Sequence, residues 1–177
     1  MAITFFIAIW VGIFSLVSPE EVVMMLGIEN SYLIIGFMAI FGGVSSVTVA
    51  PFYAALTTFA AGGVDIILLG LVAGIGLAIS DSVFYYFGTK GREMVSPEMQ
   101  QREIKLSDWF EGKPEWLLPL LIFLWSGFTP FPNDIMTVSL AFLKYPYKKL
   151  IVPLLIGDIT SSILIAYLGM KGILLFS

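Results

Sequence analysis

The chain has 177 residues, of which 58% are hydrophobic and only 12% are charged, and its mean hydropathy is +0.95. A soluble domain carries about a quarter charged residues, so this composition excludes one and predicts an all-α integral membrane protein. The chain has no cysteine or histidine and a net charge of −4. Disulfides and thiol catalysis are therefore excluded, and a zinc site lacks its usual ligands. We expect no cofactor, no metal and no nucleic-acid partner.

Five apolar stretches are long enough to enter or cross a hydrocarbon core about 30 Å thick, at about 20 residues a span. They cover residues 2–17, 32–61, 64–88, 117–143 and 150–170. The first has no Lys or Arg before it and no small-residue cleavage site after it, so it is expected to be a retained transmembrane helix. We expect one membrane domain with an N-terminal helix and outside loop (1–30), a first repeat (31–91), a cytoplasmic segment (92–116) and a second repeat (117–172).

Eight of the nine basic residues lie in two places, at positions 90–113 and 144–149. By the positive-inside rule both places are cytoplasmic. This predicts a multi-pass protein of the cell membrane, with its N-terminus and residues 89–116 in the cytoplasm. Stretch 32–61 must then enter and leave on the outer face, and stretch 117–143 on the inner face. Both are expected to be re-entrant hairpins, each followed by a full transmembrane helix; an ordinary kinked span is the alternative.

Polar residues and prolines mark the expected tips of these hairpins. The first tip falls near Ser45, and the second runs from Ser126 to Asp134. Proline removes a helical hydrogen bond, and irregular backbone at membrane depth is tolerated only inside protein or along a wet cavity. The tips are therefore expected to line a polar cavity that binds the substrate, through Ser45, Thr48, Pro51, Thr129, Pro130, Pro132, Asn133 and Asp134.

Residues 93–116 form one long polar stretch. Ser96 followed by Pro97 is a typical helix start, and Trp109 and Phe110 lie among basic residues. We predict an amphipathic segment on the cytoplasmic membrane surface, with a flexible loop as the alternative.

The chain resembles itself when it is shifted by 81 residues. Positions 45–91 then share 12 identities in 47 positions with 126–172. The shared order is a polar-proline break, a long apolar segment and a Tyr-x-Gly-x-Lys-Gly end. Because successive transmembrane helices run in opposite directions, the repeat is predicted to be inverted, as in many secondary transporters. The matched pairs include Ser45/Ser126, Thr48/Thr129, Pro51/Pro132, Gly76/Gly157, Ser80/Ser161 and Tyr86/Tyr167.

Three aspartates, Asp81, Asp134 and Asp158, lie in apolar stretches without Lys or Arg. Asp81 precedes Lys90 by nine residues and Asp158 follows Lys149 by nine, which places both about 13 Å along their helices. A carboxylate at that depth costs about 2.5 kcal/mol or more and marks a functional site by default. We expect all three to be proton-relay or gating groups, at least one of them exchanging a proton near neutral pH. In the alternative they only bond to the amides of broken helices or to Ser80, Ser161 and Ser162.

An intramembrane aspartyl protease is the enzyme class that two such aspartates suggest. Its G-x-G-D pattern would need glycine at position 155, which is Leu155, and no Tyr-Asp partner is present. We therefore expect no enzymatic activity.

The glycines at 70 and 74 form a G-x-x-x-G pattern. Such a pattern permits close helix approach. We expect internal packing, with a homodimer as the alternative.

The stretch AGIGLAISDSVFYYFGTKG at 73–91, with Gly76, Tyr86, Gly88 and Lys90 as motif positions, resembles the DedA/VTT superfamily of membrane proteins. Asn133-Asp134 after Thr-Pro-Phe-Pro is similar to a branch of small multidrug export proteins. The resemblance covers residues 40–172. It implies two opposed re-entrant hairpins with inverted symmetry, and movement of phospholipids or polyprenyl-phosphate carriers, often with proton coupling.

The chain departs in two ways from the pattern that the resemblance implies. The first hairpin has no acid after Pro51, and Ser126, Gly127, Asn133 and Asp134 stand where arginines usually flank the second tip. Phosphate recognition by an arginine fork is therefore not expected at the tips. The leading hypothesis is a proton-linked transporter of a lipid or lipid-linked carrier. A small-cation or drug exporter and a membrane assembly protein that binds partners through 93–116 are the alternatives.

Overall fold

The computed structural model describes residues 18–42, 46–92, 113–129 and 133–176. Within these ranges the chain forms seven helices and no strand. Two segments, Ile66–Gly91 and Tyr147–Ile173, are long and apolar enough to cross a membrane, and a bent pair of helices near the N-terminus would make a third. The architecture is therefore all-α and fits a membrane protein. The helices are α1 (Pro19–Leu26), α2 (Ile28–Gly42), α3 (Ser46–Ala61), α4 (Ile66–Arg92), α5 (Leu117–Phe128), α6 (Asn133–Phe142) and α7 (Tyr147–Phe176).

The two long helices α4 and α7 pack against each other in opposite directions. Gly70 of α4 lies against Ile163 of α7, and Gly74 lies against Ile159. The residue numbers of α4 therefore rise along the contact while those of α7 fall. A methyl group on either glycine would overlap the facing isoleucine, and small residues of this kind allow helix backbones to approach closely. The G-x-x-x-G pattern is thus used inside the chain. We call the end that holds Lys90 and Lys149 the Lys-rich end, and the opposite end, where α4 begins, the far end.

Helices α5 and α6 form a hairpin that starts and finishes at the Lys-rich end. Glu115, just before α5, pairs with Lys149 at the start of α7, while Gly127 near the end of α5 lies against Gly157 in the middle of α7. Helix α6 then returns, and Gly88 near the end of α4 packs on Val138. Each leg is 10 or 12 residues long, about 15–18 Å at 1.5 Å per residue, which is roughly half the hydrocarbon core.

Helices α2 and α3 lie on the other half of the molecule. Gly36 contacts Val72 and Gly76 contacts Ala39, so α2 runs parallel to α4 from the far end inwards. Helix α3 packs mainly on α7, where Thr57 meets Gly169. The stretch expected to be an outside loop holds α1, because Ser18 caps it in a capping box with Glu21. The axis between α1 and α2 bends by 97°.

The turn after α3 and the turn after α6 have the same hydrogen bonds. The amides of Gly63 and Val64 donate to the carbonyls of Ala60 and Phe59, and the amides at 144 and 145 donate to the carbonyls at 141 and 140. Both turns also place one residue in the left-handed region: Gly63 has φ +90° and Lys144 has φ +54°. Each of these positions lies 81 residues from its counterpart, the same shift that aligns the sequence.

Several predicted features fall outside the described residues. These are the N-terminal helix at 2–17, Ser45, Pro130, Pro132 and residues 93–112 of the predicted amphipathic segment. Thr48 lies in α3, but its side chain is not among those described. Those predictions stand as they were made.

Candidate functional site

One amide group joins two buried carboxylates in the middle of the α4–α7 pair. Asn133, the first residue of α6, donates from Nδ2 to Oδ2 of Asp81 at 3.2 Å and to Oδ1 of Asp158 at 2.7 Å. Asp81 is 5% exposed and Asp158 is fully buried. We call these three residues the aspartate–asparagine cluster. It joins α4, α6 and α7 at the tip of the α5–α6 hairpin.

The local sequence explains why Asn133 reaches this point. Thr129 has an extended backbone at the end of α5 (φ −101°, ψ 144°), and its amide and hydroxyl both donate to the carbonyl of Trp125. The helix therefore ends there, four residues before α6 begins. Asn133 can then face the carboxylates from the first turn of a new helix, because the prolines at 130 and 132 prevent the preceding chain from continuing as a regular helix.

The electrostatics of the cluster are dominated by its two acids. The apolar stretches 66–89, 117–143 and 150–170 contain no Lys or Arg. The side chain of Asn133 donates to both carboxylates. A neutral amide can orient two carboxylates, but it cannot cancel their charge. Burial of a charge without an opposite charge is strongly unfavourable, so the ionisation of both carboxylates at once is costly.

Further buried polar atoms lie beside the cluster along α6 and α7. Ser162 follows Asp158 by four residues and Thr137 follows Asn133 by four, so each shares a helix face with a cluster residue. Both side chains are fully buried. Within the described part of the chain, the Thr137 and Ser162 hydroxyl oxygens and Oδ2 of Asp158 have no hydrogen-bond partner. Such atoms are costly to bury without a partner, which is typical of a site that receives water or a ligand.

The other predicted site residues are placed as follows. Asp134 is half-buried, and its Oδ1 accepts from the amide of Ile135; no hydrogen bond between it and the cluster is found in the described ranges. Pro51 lies inside α3 with its side chain exposed. Ser161 donates to the backbone carbonyl of Asp158 rather than to its carboxylate. The structure thus brings together Asp81, Asn133 and Asp158 and leaves Asp134, Pro51 and Thr129 outside their hydrogen bonds.

The motif residues of α4 have mainly packing contacts. Gly88 lies against Val138 and Ala141 of α6, and Gly76 against α2. The Tyr86 side chain is 58% exposed and contacts the ring of Phe87. Lys90 lies exposed at the Lys-rich end.

Sequence reasoning named the three members of the cluster but not their contact. It placed Asn133 in a substrate cavity and the two aspartates in a separate relay. It also missed Thr137, and it named Ser162 only as a bonding partner for a carboxylate. The four-residue spacings Asn133–Thr137 and Asp158–Ser162 were the signal available for both, since such spacings put side chains on one face.

No protein-family model, curated protein or solved structure matches this chain. The interpretation of function therefore depends on the geometry of the cluster and on the resemblance of the motifs.

Proposed function

We propose that this protein is an α-helical membrane transporter whose aspartate–asparagine cluster binds and releases a proton as a lipid or lipid-linked carrier moves across the bilayer. The observation that carries the proposal is the single Asn133 amide between two buried carboxylates. An arrangement with two acids and no base at membrane depth is typical of proton relays in pumps and transporters.

The charge balance favours a proton as the bound species. With both carboxylates ionised, Asp81 and Asp158 repel each other in a region from which solvent is almost excluded. One proton shared by the pair removes a full charge without requiring the coordination shell of a metal ion. The Asn133 amide can then donate to whichever oxygen remains negative, so proton exchange does not require the cluster to come apart.

The contacts of the helices support an inverted repeat. Gly88 packs on Val138, and the positions 81 residues from these, Gly169 and Thr57, also pack together. The two turns with matching hydrogen bonds have the same 81-residue relation. Since α4 and α7 run in opposite directions, the two units would be inverted with respect to the membrane. Inverted repeats with broken helices at the midplane are a recurrent transporter architecture.

Lipid is the leading substrate because of the resemblance to the DedA/VTT superfamily. In this arrangement the Lys-rich end lies in the cytoplasm, as the positive-inside rule predicts. The second candidate is a small-cation or drug exporter. It is favoured by the same two acids without a base, because they would attract a cation as readily as a proton.

The protease alternative has one geometric point in its favour, since two aspartates do meet. The G-x-G-D pattern of that class, however, would need glycine at position 155, which is Leu155. We therefore infer a binding site rather than a hydrolytic one.

The test is a reconstituted-liposome assay with a labelled polyprenyl phosphate and a labelled phospholipid, with and without a proton gradient. We expect movement of lipid by the native protein and movement at the protein-free background for Asp158→Asn, which keeps the shape of the side chain but cannot exchange a proton. Asp65→Asn is the matched control, because Asp65 is exposed and caps α4 through the amide of Leu68, a role that asparagine also fills.

Three outcomes are informative. Loss of movement in the Asp158 variant alone supports a proton-binding transporter, and dependence on the gradient separates coupled transport from scrambling. Full movement in the Asp158 variant contradicts the role of the cluster. No movement of either lipid by the folded native protein, together with uptake of a labelled organic cation, would favour the exporter.

A further inference from the structure

A cavity of about 230 Å³ opens at the Lys-rich end, near the starts of α5 and α7 and the turn after α6. Two lysines and a glutamate line it together with three leucines, Tyr145 and Pro114. It is separate from the aspartate–asparagine cluster, because Asp158 lies nine residues further along α7 than Lys149, about 13 Å at 1.5 Å per residue. The lining residues are Lys113, Pro114, Glu115, Leu118, Leu140, Leu143, Tyr145 and Lys149.

One of the lysines that line the cavity is already paired with a carboxylate of the protein. The Glu115 carboxylate accepts from Nζ of Lys149 at 3.0 Å. Their side chains are 90% and 55% exposed, respectively. Ion pairs as exposed as this contribute little to stability and are readily exchanged. The ion pair between Glu115 and Lys149 is therefore weak, and an anion that binds Lys149 more strongly could replace the Glu115 carboxylate.

Most of the other residues that line the cavity are apolar. Leu140 is buried, and Leu118 and Leu143 are half-buried beside it. A wall of leucines next to ammonium groups suits a molecule with an anionic head and an apolar chain. At the end of a membrane-crossing pair of helices, such a molecule is a lipid.

The cavity offers a place for a phosphate group that the hairpin tips are not suited to bind. A phosphate group would be repelled by the two carboxylates of the cluster, and no arginine lies at the tips (126–134) to hold it. Lys149 and Lys113 are the cationic groups of the cavity that can approach it from the Lys-rich end, and lysine is a frequent phosphate ligand.

We propose that this cavity is the site at which the phosphate-bearing head group of a lipid is recognised, with Lys149 as the principal ligand and Glu115 as an internal competitor for it. The proposal rests on the lipid transport proposed above and names the place where the substrate is first held. It separates two tasks: the cavity binds the anion, and the cluster exchanges the proton.

The test is the binding of radiolabelled dihexanoyl phosphatidic acid to the full-length protein in detergent, measured by equilibrium dialysis. We expect Lys149→Gln to weaken binding at least about tenfold, because the ammonium group that would pair with the phosphate is lost. Glu115→Gln should strengthen binding, because the competing carboxylate is removed. Lys148→Gln is the matched control: Lys148 is exposed and adjacent but does not line the cavity.

Two comparison ligands identify what the cavity recognises. Dihexanoyl phosphatidylcholine carries a compensating cation and should bind more weakly than phosphatidic acid, and inorganic phosphate lacks the chain and should compete poorly. Equal effects of Lys149→Gln and Lys148→Gln, or equal binding of the two lipids, would overturn the proposal. Inorganic phosphate that competes as well as the lipid would show a phosphate site without a lipid wall and would also overturn it.

The same assay separates this inference from the proposed function. Asp158→Asn should bind phosphatidic acid normally while failing to move lipid, because the cavity and the cluster are distinct. Normal binding together with normal lipid movement in that variant would refute the proton-coupled mechanism and leave the cavity standing. Loss of binding in Asp158→Asn would show that the cavity is not an independent site.

Discussion

The 81-residue shift aligns α3 with α6 in the sequence, yet their inner faces differ in chemistry. In α3 the residues are Phe52 and Leu56, both fully buried in an apolar core. The positions 81 residues later in α6 are Asn133 and Thr137, which face the polar interior. The long helices each carry one buried acid at a different position, since the counterpart of Asp158 is Leu77 and the counterpart of Asp81 is Ser162.

The contrast between α3 and α6 shows which features are needed for packing and which are not. Both halves have the same turn, with matching hydrogen bonds, and the same glycine contact between a long helix and a hairpin leg. At the two compared positions α3 achieves these with the apolar Phe52 and Leu56. Asn133 and Thr137 are therefore not needed for packing there, and a buried polar group that packing does not need marks a candidate functional site.

The largest expected effect comes from giving α4 the residue found at its counterpart in α7. Asp81→Ser, which copies Ser162, should reduce lipid movement to the protein-free background, because one of the two proton-binding groups is lost. Its melting temperature in detergent should stay the same or rise, since a buried carboxylate has been removed. Asp65→Asn is again the control, because Asp65 is an exposed acid that caps α4, and it should move lipid normally.

The next effect is on stability, and it compares Leu56 with Thr137. Leu56→Ala should lower the free energy of unfolding by about 2–5 kcal/mol, as for other buried leucines. Thr137→Val should leave it unchanged or raise it, because a buried hydroxyl without a partner in the described ranges is replaced by a methyl group, while lipid movement should fall. Unfolding titrations in mixed micelles measure both. A Thr137→Val protein as unstable as Leu56→Ala would mean that α6 is built for packing after all.

The paired glycine contacts give a smaller effect that should be equal in the two halves. A methyl group at Gly88 would overlap Ala141, and one at Gly169 would overlap Thr57. Gly88→Ala and Gly169→Ala should therefore each cost about 1–3 kcal/mol through overpacking. Gly172→Ala is the control, since nothing lies within 4 Å of the added methyl group, and it should be neutral or stabilising. A large cost for only one of the pair would break the correspondence between the halves.

The smallest effect concerns the two left-handed turn positions. Lys144 has a positive φ where its counterpart is Gly63, and a residue with a side chain is disfavoured there by about 1 kcal/mol or more. Lys144→Gly should therefore raise the free energy of unfolding by up to about 1 kcal/mol, and Gly63→Ala should lower it by a similar amount. Thermal unfolding of both variants measures the difference. A lower free energy of unfolding for Lys144→Gly, or an unchanged one for Gly63→Ala, would show that the two turns are not equivalent.

The helical class, the long helices and the half-length legs of the second hairpin follow from the sequence, because apolar length, prolines and lysines are local signals. The contact between Asp81 and Asp158 does not. It depends on how α4 crosses α7. The glycines of α4 determine this crossing, but the sequence does not reveal which residues of α7 they will contact. Each aspartate lies nine residues from a lysine, which predicts that both are at the same depth in the helix bundle. This spacing does not predict that Asn133 bridges them. The pairing of Glu115 with Lys149 was likewise not predictable, since it joins residues 34 positions apart.

The lengths of the two crossing helices make this protein sensitive to its bilayer. Segments of 26 and 27 residues extend about 39–40 Å, more than a hydrocarbon core of about 30 Å, so they must tilt or reach into the head groups. A thinner bilayer would increase the tilt of both, and the ends of the helices would separate more than the region near Gly74 and Ile159. Asp158 lies beside that crossing and would move little, whereas the contacts of Gly88 and Gly169 with the hairpins would move most. Membrane thickness would then act on the packing of α3 and α6 while leaving the aspartate–asparagine cluster in place.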